Sequence, residues 1–432
     1  KATGFFYPVR HEGRWTLVDP EGKLFFSHGV DVVNPWQSTP IEERDSWFKN
    51  APWDRPETQE FTGRAHQVLH NYYKGRTPRT FDFGAANLRR KHGEDWQEDF
   101  ARDVHARLRS WGMNTIGKWS DSKVYLQRRT PYVASTGSWG TKPIRGSEGF
   151  WGQFPDPFDP GFRGTMRANL AGFKDRGEAG DPWCIGFFVD NELAWGNDTD
   201  LAASALASPA DQAAKVVFVA DLKAGYGTIA ALNQAWGTGH AAWEALLQST
   251  VPPDREKARA DLRAFTTRIA EAYFKTIKEE LKALAPNNLY LGCRFAWVND
   301  LALEASLKYV DVVSYNLYRN SVADFRLPGN ADFPVIIGEF HFGALDRGMF
   351  HTGLVPVADQ AERAAAYRNY VLGALKNPLF VGTHWFQYMD ECTTGRYLDG
   401  ENYQIGLVSI TDTPYPETIA AVREVGASLY AK

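Results

Sequence analysis

The stretch that decides the fold is residues 181–197, DPWCIGFFVDNELAWGN. Its centre, Cys184-Ile185-Gly186-Phe187-Phe188-Val189, is an almost unbroken apolar run. That composition suits a strand covered on both faces, as in a parallel sheet. The run stops at Asp190-Asn191-Glu192, so a carboxylate stands just past the carboxyl end of the strand. In an α/β barrel that rim carries the chemistry. A second run, Pro334-Val335-Ile336-Ile337, leads into Gly338-Glu339-Phe340. Two glutamates, Glu192 and Glu339, thus each close a buried strand, 339 − 192 = 147 residues apart.

Working outward, further short apolar segments alternate with helical ones. Strand 1 runs through Ser27-His28-Gly29-Val30-Asp31. Strand 2 is Met113-Asn114-Thr115-Ile116-Gly117, and strand 3 is Tyr132-Val133-Ala134. Strand 5 spans residues 289–293 and ends at Arg294. Strand 6 spans residues 310–314 and ends at Tyr315-Asn316. Strand 7 ends at Glu339, and strand 8 covers residues 380–385. Phe100, Val104, Leu108 and Trp111 share one helical face, and Gly112 stops that helix. Residues 254–285 and 358–375 carry the same periodicity. The pattern predicts an α/β fold, a (β/α)8 TIM barrel. It is expected to be one catalytic domain over residues 1–432, opened by a β-hairpin turning at Pro20 to Gly22. Long loop insertions are expected after strands 1, 3 and 4, the last a helical insertion at about residues 194–286.

Composition narrows the function. The chain has 432 residues and a net charge of −4, with no long basic run, which argues against nucleic acid and anionic membranes as partners. No run of eighteen apolar residues is present to span a membrane. Cys184, Cys293 and Cys392 are too few and too scattered for a disulfide framework or a zinc site. His341, His351 and His384 lack the spacing of a metalloprotease helix. No metal and no cofactor are therefore expected. Aromatic residues make up 14% of the chain, 15 of them Trp, and flat aromatic faces suit sugar rings as well as cores.

Two glutamates at opposite strand ends fit cleavage of a glycosidic bond with retention. One carboxyl group gives a proton to the leaving oxygen and the other attacks the anomeric carbon. They stand roughly 5–5.5 Å apart in retaining enzymes and roughly 6.5–9.5 Å apart in inverting ones. Glu192 is assigned as acid/base and Glu339 as nucleophile, with the charge on Glu339 keeping Glu192 protonated. Arg294 and His341 are candidate substrate contacts, Arg294 equally a buried ion-pair partner. Asp31 and Asn114, on strands 1 and 2, are further candidates. His28, His351 and His384 are possible cleft residues. Asp390 and Glu391 read as a distal contact or as solvated loop charges. Trp36, Trp119, Trp139, Trp151 and Trp195 lie in loops or at strand ends, where one or two would serve as sugar platforms.

The order of Asn191-Glu192 after strand 4 and Glu339 after strand 7 resembles glycoside hydrolase clan A. That resemblance implies that Asn191 binds the hydroxyl next to the anomeric carbon. It also implies that Tyr315 bonds to the nucleophile and that Trp385 floors the sugar site. The phrases GRWTLVDPEGKLFFSHGVD, FFVDNELAWG, IGEFHFGALDRGMFHTGL and GENYQIGLVSITDTPYPE are similar to β-agarases of glycoside hydrolase family 50. The insert YGTIAALNQAWGT is similar to family 42 β-galactosidases. These resemblances imply a galactan oligosaccharide or polysaccharide as partner, β-1,4 bonds of agarose as target, and a secreted or periplasmic location. Many agarases of family 50 carry an extra N-terminal sugar-binding domain, and its absence from these residues weakens the expectation of processive work on gelled agarose and leaves soluble oligosaccharides open as substrates. The alternatives are a clan A β-galactosidase or β-glycanase for another linkage, or a barrel that binds carbohydrate without cleaving it.

Overall fold

A computed structural model describes residues 1–430. Its centre is an eight-stranded curled sheet, all parallel, consistent with an α/β barrel. The strands are β1 (Ser27–Val30), β2 (Thr115–Ile116), β3 (Tyr132–Thr136), β4 (Cys184–Val189), β5 (Leu289–Tyr290), β6 (Val313–Asn316), β7 (Val335–Phe340) and β8 (Phe380–Trp385). Their order in space is β5-β4-β3-β2-β1-β8-β7-β6, so each lies beside its neighbours in sequence. The edges β5 and β6 meet across a seam: the Asp311 amide donates to the Tyr290 carbonyl at 2.9 Å, and the Phe295 amide to that of Ser314 at 2.8 Å.

Alternation along each strand sorts the side chains. Val133, Ile185, Phe188, Leu289, Ile336 and Val381 form an interior cluster. Phe6, Leu17 and Phe25 join it from an antiparallel sheet of Tyr7–His11, Arg14–Val18 and Leu24–Phe25. This sheet runs directly into β1, so it closes the end of the barrel where the strands begin. The outward residues Phe187, Val189, Val313, Tyr315, Ile337 and Trp385 belong to a second cluster shared with the helices. Those helices include α1 (Trp96–Trp111), α2 (Phe162–Asp175), α3 (Arg259–Leu284) and α4 (Gln360–Lys376). Gly112 ends α1 in the left-handed conformation, and Phe173 of α2 stacks on Phe187 at 4.2 Å.

The long connection after β1 holds its own three-stranded antiparallel sheet (Ser38–Pro40, Thr62–Arg64, Arg79–Asp82) and the helix Phe83–His92, capped by the Asp82 side chain. After β4, four shorter helices precede α3. Strand β6 begins and ends later than its apolar run suggests. Asp311 is drawn out of the strand because its carboxylate accepts from the Tyr290 amide and pairs with Lys278 and Lys282. Tyr315 and Asn316 therefore lie inside the strand, on opposite faces.

Because Ile185 fills the barrel interior with no solvent exposure, Ile185→Ala is expected to lower unfolding free energy by about 2–5 kcal/mol. Chemical denaturation against the parent chain measures it.

Candidate active site

Glu192 follows β4 by three residues and Glu339 is the penultimate residue of β7, so both stand at the carboxyl-end rim. Glu192 is held by two donors, and Glu339 by one donor and an ion pair. The Trp151 indole donates to Glu192 Oε2 at 2.9 Å and the Asn316 amide to Oε1 at 2.7 Å. Glu339 accepts from the Tyr318 hydroxyl, and its Oε1 lies 3.0 Å from the Arg294 guanidinium. Asn316 also donates to Asn191 Oδ1 at 3.3 Å. Asn316 from β6 thus holds Glu192, and Arg294 from the end of β5 pairs with Glu339. Glu339 is buried, whereas Glu192 is partly open to solvent.

Beneath the rim runs a buried chain of charges. Arg294 donates to Asp31 Oδ2 at 2.6 Å and to the Gly338 carbonyl at 2.5 Å. Asp31 Oδ1 accepts from the Lys118 amide at 2.8 Å, and Lys118 Nζ donates to the Asp190 carbonyl at 2.6 Å. The Asp190 carboxylate accepts from Ser138 and from the Tyr273 hydroxyl of α3. Burial pushes the Glu339 carboxyl up to about 7; the charges on Glu192 and Asp31 add to this, while Arg294 and the Tyr318 hydroxyl oppose it. Burial likewise lifts Asp31 to about 6 against the pull of Arg294. It lowers Lys118 to about 7, helped by the neighbouring Arg294 charge. Perturbed groups gathered at one rim make it the candidate functional site.

Several candidates stand elsewhere than expected. Tyr315 does not reach Glu339: it faces outward and packs against Phe295 and Phe325. The hydroxyl that does so belongs to Tyr318. Trp385 is no sugar floor; it also points outward, wholly buried, bonded to the Ile405 carbonyl and packed on Phe340 and Tyr367. Asn114 precedes β2 and bonds to His28 and Phe26 at the opposite end of the barrel. Asp31 is a fully buried partner of Arg294, out of a substrate's reach. His341 is buried beside Tyr318, ring centroids 4.6 Å apart, and accepts from the Leu354 amide. Burial lowers it to about 3, so it is neutral.

Of the remaining histidines, His28 bonds to Tyr367 and His384 to Ser27, both within the core, and His351 stacks on Tyr403. Asp390 and Glu391 are buried rather than solvated: Asp390 accepts from the Gly406 amide and the Tyr415 hydroxyl, Glu391 from the Tyr403 amide. Trp195 is core. Trp36 rests on Trp96, and Trp139 is exposed. Trp119 lies over Arg294 at 4.7 Å with one side open. Among the described residues, no group of three or more His, Cys, Asp and Glu side chains is placed to hold a metal ion.

No known family model matches the sequence. The chain is 36% identical over 464 residues to β-agarase B of Vibrio sp. (strain JT0107), covering 100% of this chain and 49% of that protein. It spans about half the length of the curated relatives it matches. Two solved structures are similar along the chain. The agarase AgWH50C shares 36% identity at a TM-score of 0.92, covering 99% of this chain and 65% of that one. An exo-β-agarase shares 32% identity at a TM-score of 0.94, covering 100% and 66%.

The raised Glu339 has a stability consequence whose sign follows from linkage. Between about pH 4.5 and about pH 7 the folded carboxyl holds a proton that the unfolded one has released. The folded state is then favoured at the acid end and loses that advantage as pH rises through the window. Glu339→Gln cannot ionise, so the parent's melting temperature is expected to fall relative to that of the variant as pH rises from about 4.5 to about 8. Thermal unfolding of both chains across the range measures it.

Proposed function

We propose that this chain is a retaining glycoside hydrolase of the β-agarase kind, placed in clan A, with the whole barrel as one catalytic domain. Its proposed targets are the β-1,4 galactosidic bonds of agarose or agaro-oligosaccharides. The observation that carries this is the pair of glutamates on one rim, Glu192 held by Trp151 and Asn316 and Glu339 by the Tyr318 hydroxyl and the Arg294 ion pair. Similarity to β-agarases along the full chain supports the substrate class.

In the proposed reaction, ionised Glu339 attacks the anomeric carbon while Glu192 gives its proton to the leaving oxygen. The bond to that oxygen breaks and an ester to Glu339 forms. Glu192, now a carboxylate, takes a proton from water, whose oxygen attacks the same carbon and releases Glu339. Arg294 and Tyr318 hold the attacking carboxylate in place and stabilise its charge before reaction. Asn191, next to Glu192, is proposed to bind the hydroxyl beside the anomeric carbon.

Two measurements test this. Glu339→Gln is expected to fold and to lose turnover on agaro-oligosaccharides by about four orders of magnitude, as a lost nucleophile does. Glu192→Gln should recover much of its rate on aryl galactosides whose leaving group needs no proton. Full activity in Glu339→Gln would falsify the assignment.

The pH profile supplies the second. Since attack needs ionised Glu339 while Glu192 keeps its proton, the raised Glu339 value is expected to set the acid limb of kcat/KM above the ordinary carboxylate range. Tyr318→Phe removes a donor that lowers this value, so the acid limb should move to higher pH. A limb that stays in place would exclude Tyr318 from setting the ionisation of Glu339.

A further inference from the structure

One group of rings lies against Glu192 and takes no part in the steps above. Trp151, which donates to Glu192, meets Phe150 edge to face at 4.6 Å. His70 stacks on Phe150 at 4.3 Å, with its Nε2 2.8 Å from the Phe150 carbonyl oxygen. Trp297, three residues beyond Arg294, lies 6.2 Å from Phe150. The rings come from three connections, those after β1, β3 and β5. Most large apolar side chains in this fold are buried, yet Phe150 is 50% exposed and Trp297 46%. Phe150 is held in water by the stacked His70 ring, and Trp297 leans toward Phe150 with its plane tilted by 46°; exposed aromatic surfaces of this size are a feature that a core does not need.

We propose that Phe150 and Trp297 form the platform for the leaving-group side of the saccharide, the sugars beyond the bond being cleaved. The assignment of side follows from chemistry. The proton donor must reach the bridging oxygen, so surfaces that adjoin Glu192 meet the departing chain. Rings that adjoin Glu339 and Arg294, namely Tyr318 and Trp119, meet the sugar under attack. A pyranose ring presents a face of C–H groups that packs on an aromatic plane, and agarose-type chains carry no charge for which a salt bridge would be needed. His70 and Trp151 act as positioning residues: His70 covers one face of Phe150, and Trp151 ties the group to Glu192. Cleavage would then depend on sugars bound to the platform, because their contact places the bridging oxygen against the proton donor.

The inference rests on the hydrolase proposal, and the test separates the two. Phe150→Ala/Trp297→Ala is compared with the parent on an agaro-oligosaccharide series and on a matching oligosaccharyl fluoride, whose leaving group has no ring to stack. The expected result is a fall of about tenfold in the ratio of kcat/KM for oligosaccharide over fluoride, as the loss of one to two good aromatic contacts gives. An unmoved ratio overturns the platform, whether both activities fall together or neither does. A parent chain that cleaves none of these substrates sinks the hydrolase proposal instead. In that event the platform is read by calorimetry: weaker oligosaccharide binding in the double variant supports it, and equal binding overturns it.

Discussion

A guanidinium with no access to water sits in the mouth of the barrel, and its demand for counter-charge organises everything around it. Removing such an ion from water costs several kcal/mol unless partners compensate closely. Arg294 meets part of that demand through Nη2, which reaches Asp31, Glu339 and the Gly338 carbonyl, while Nε and Nη1 are left without hydrogen-bond partners between the rings of Trp119 at 4.7 Å and Phe188 at 5.3 Å. With Lys118, two positive and two negative groups share one buried volume. Neither carboxylate can move far without stranding the arginine. For Glu339, the proposed nucleophile, this means that it is aimed before any substrate arrives, as electrostatic catalysis requires. The tension is visible in Glu339 itself, where burial outweighs the arginine and leaves the carboxyl reluctant to ionise.

Backbone strain lies along the same rim. Trp119, Asp190, Glu192 and Arg294 all take positive φ, between 50° and 64°, at the exits of β2, β4 and β5. Such conformations cost side chains about 1–3 kcal/mol each and persist only where surroundings enforce them. The enforcement can be named. Asp190 is gripped by Ser138, Tyr273 and Lys118, and the Glu192 amide donates to the Arg294 carbonyl at 3.2 Å. The strain turns the two β4 carboxylates in different directions, Asp190 into the wall and Glu192 into the cleft.

Sequence patterning reached the strands and the two glutamates because both depend on local composition: a buried parallel strand must be apolar, and a charge can follow only where it ends. The helix at Trp96–Trp111 was legible from its spacing and its Gly112 stop for the same reason. Side-chain facing was not, because it turns on register, and one residue of slip reverses a strand. Ending β6 at Ser314 put Tyr315 at the rim. With the strand running to Asn316, the inward positions are Ser314 and Asn316, and the same parity continued to 318 points to Tyr318. Asn316 and Tyr318 were therefore within reach of a period-two count from the correct end. Trp385 failed in the same way, being an outward residue of β8. Lys118 and Asp190 left no signal, since their value comes from partners distant along the chain.

The helical segment after β4 looks, in sequence, like an appendage to a barrel that would close without it. Tyr273 shows otherwise. It projects from α3 into the core, packs against Phe162, Trp195 and Phe274, and delivers its hydroxyl to Asp190 Oδ2 at 2.6 Å. Asp190 is half-buried, and desolvation of its carboxyl already raises it above the usual range. Without Tyr273 an acceptor would be left unsatisfied two residues before Glu192, at a cost comparable to a buried unpaired polar group. A packed ring is also harder to displace than a flexible loop, so α3 transmits the rigidity of the helical layer to the rim. The segment that sequence reading sets apart as an insertion is, in physical terms, part of what holds the proposed proton donor in place.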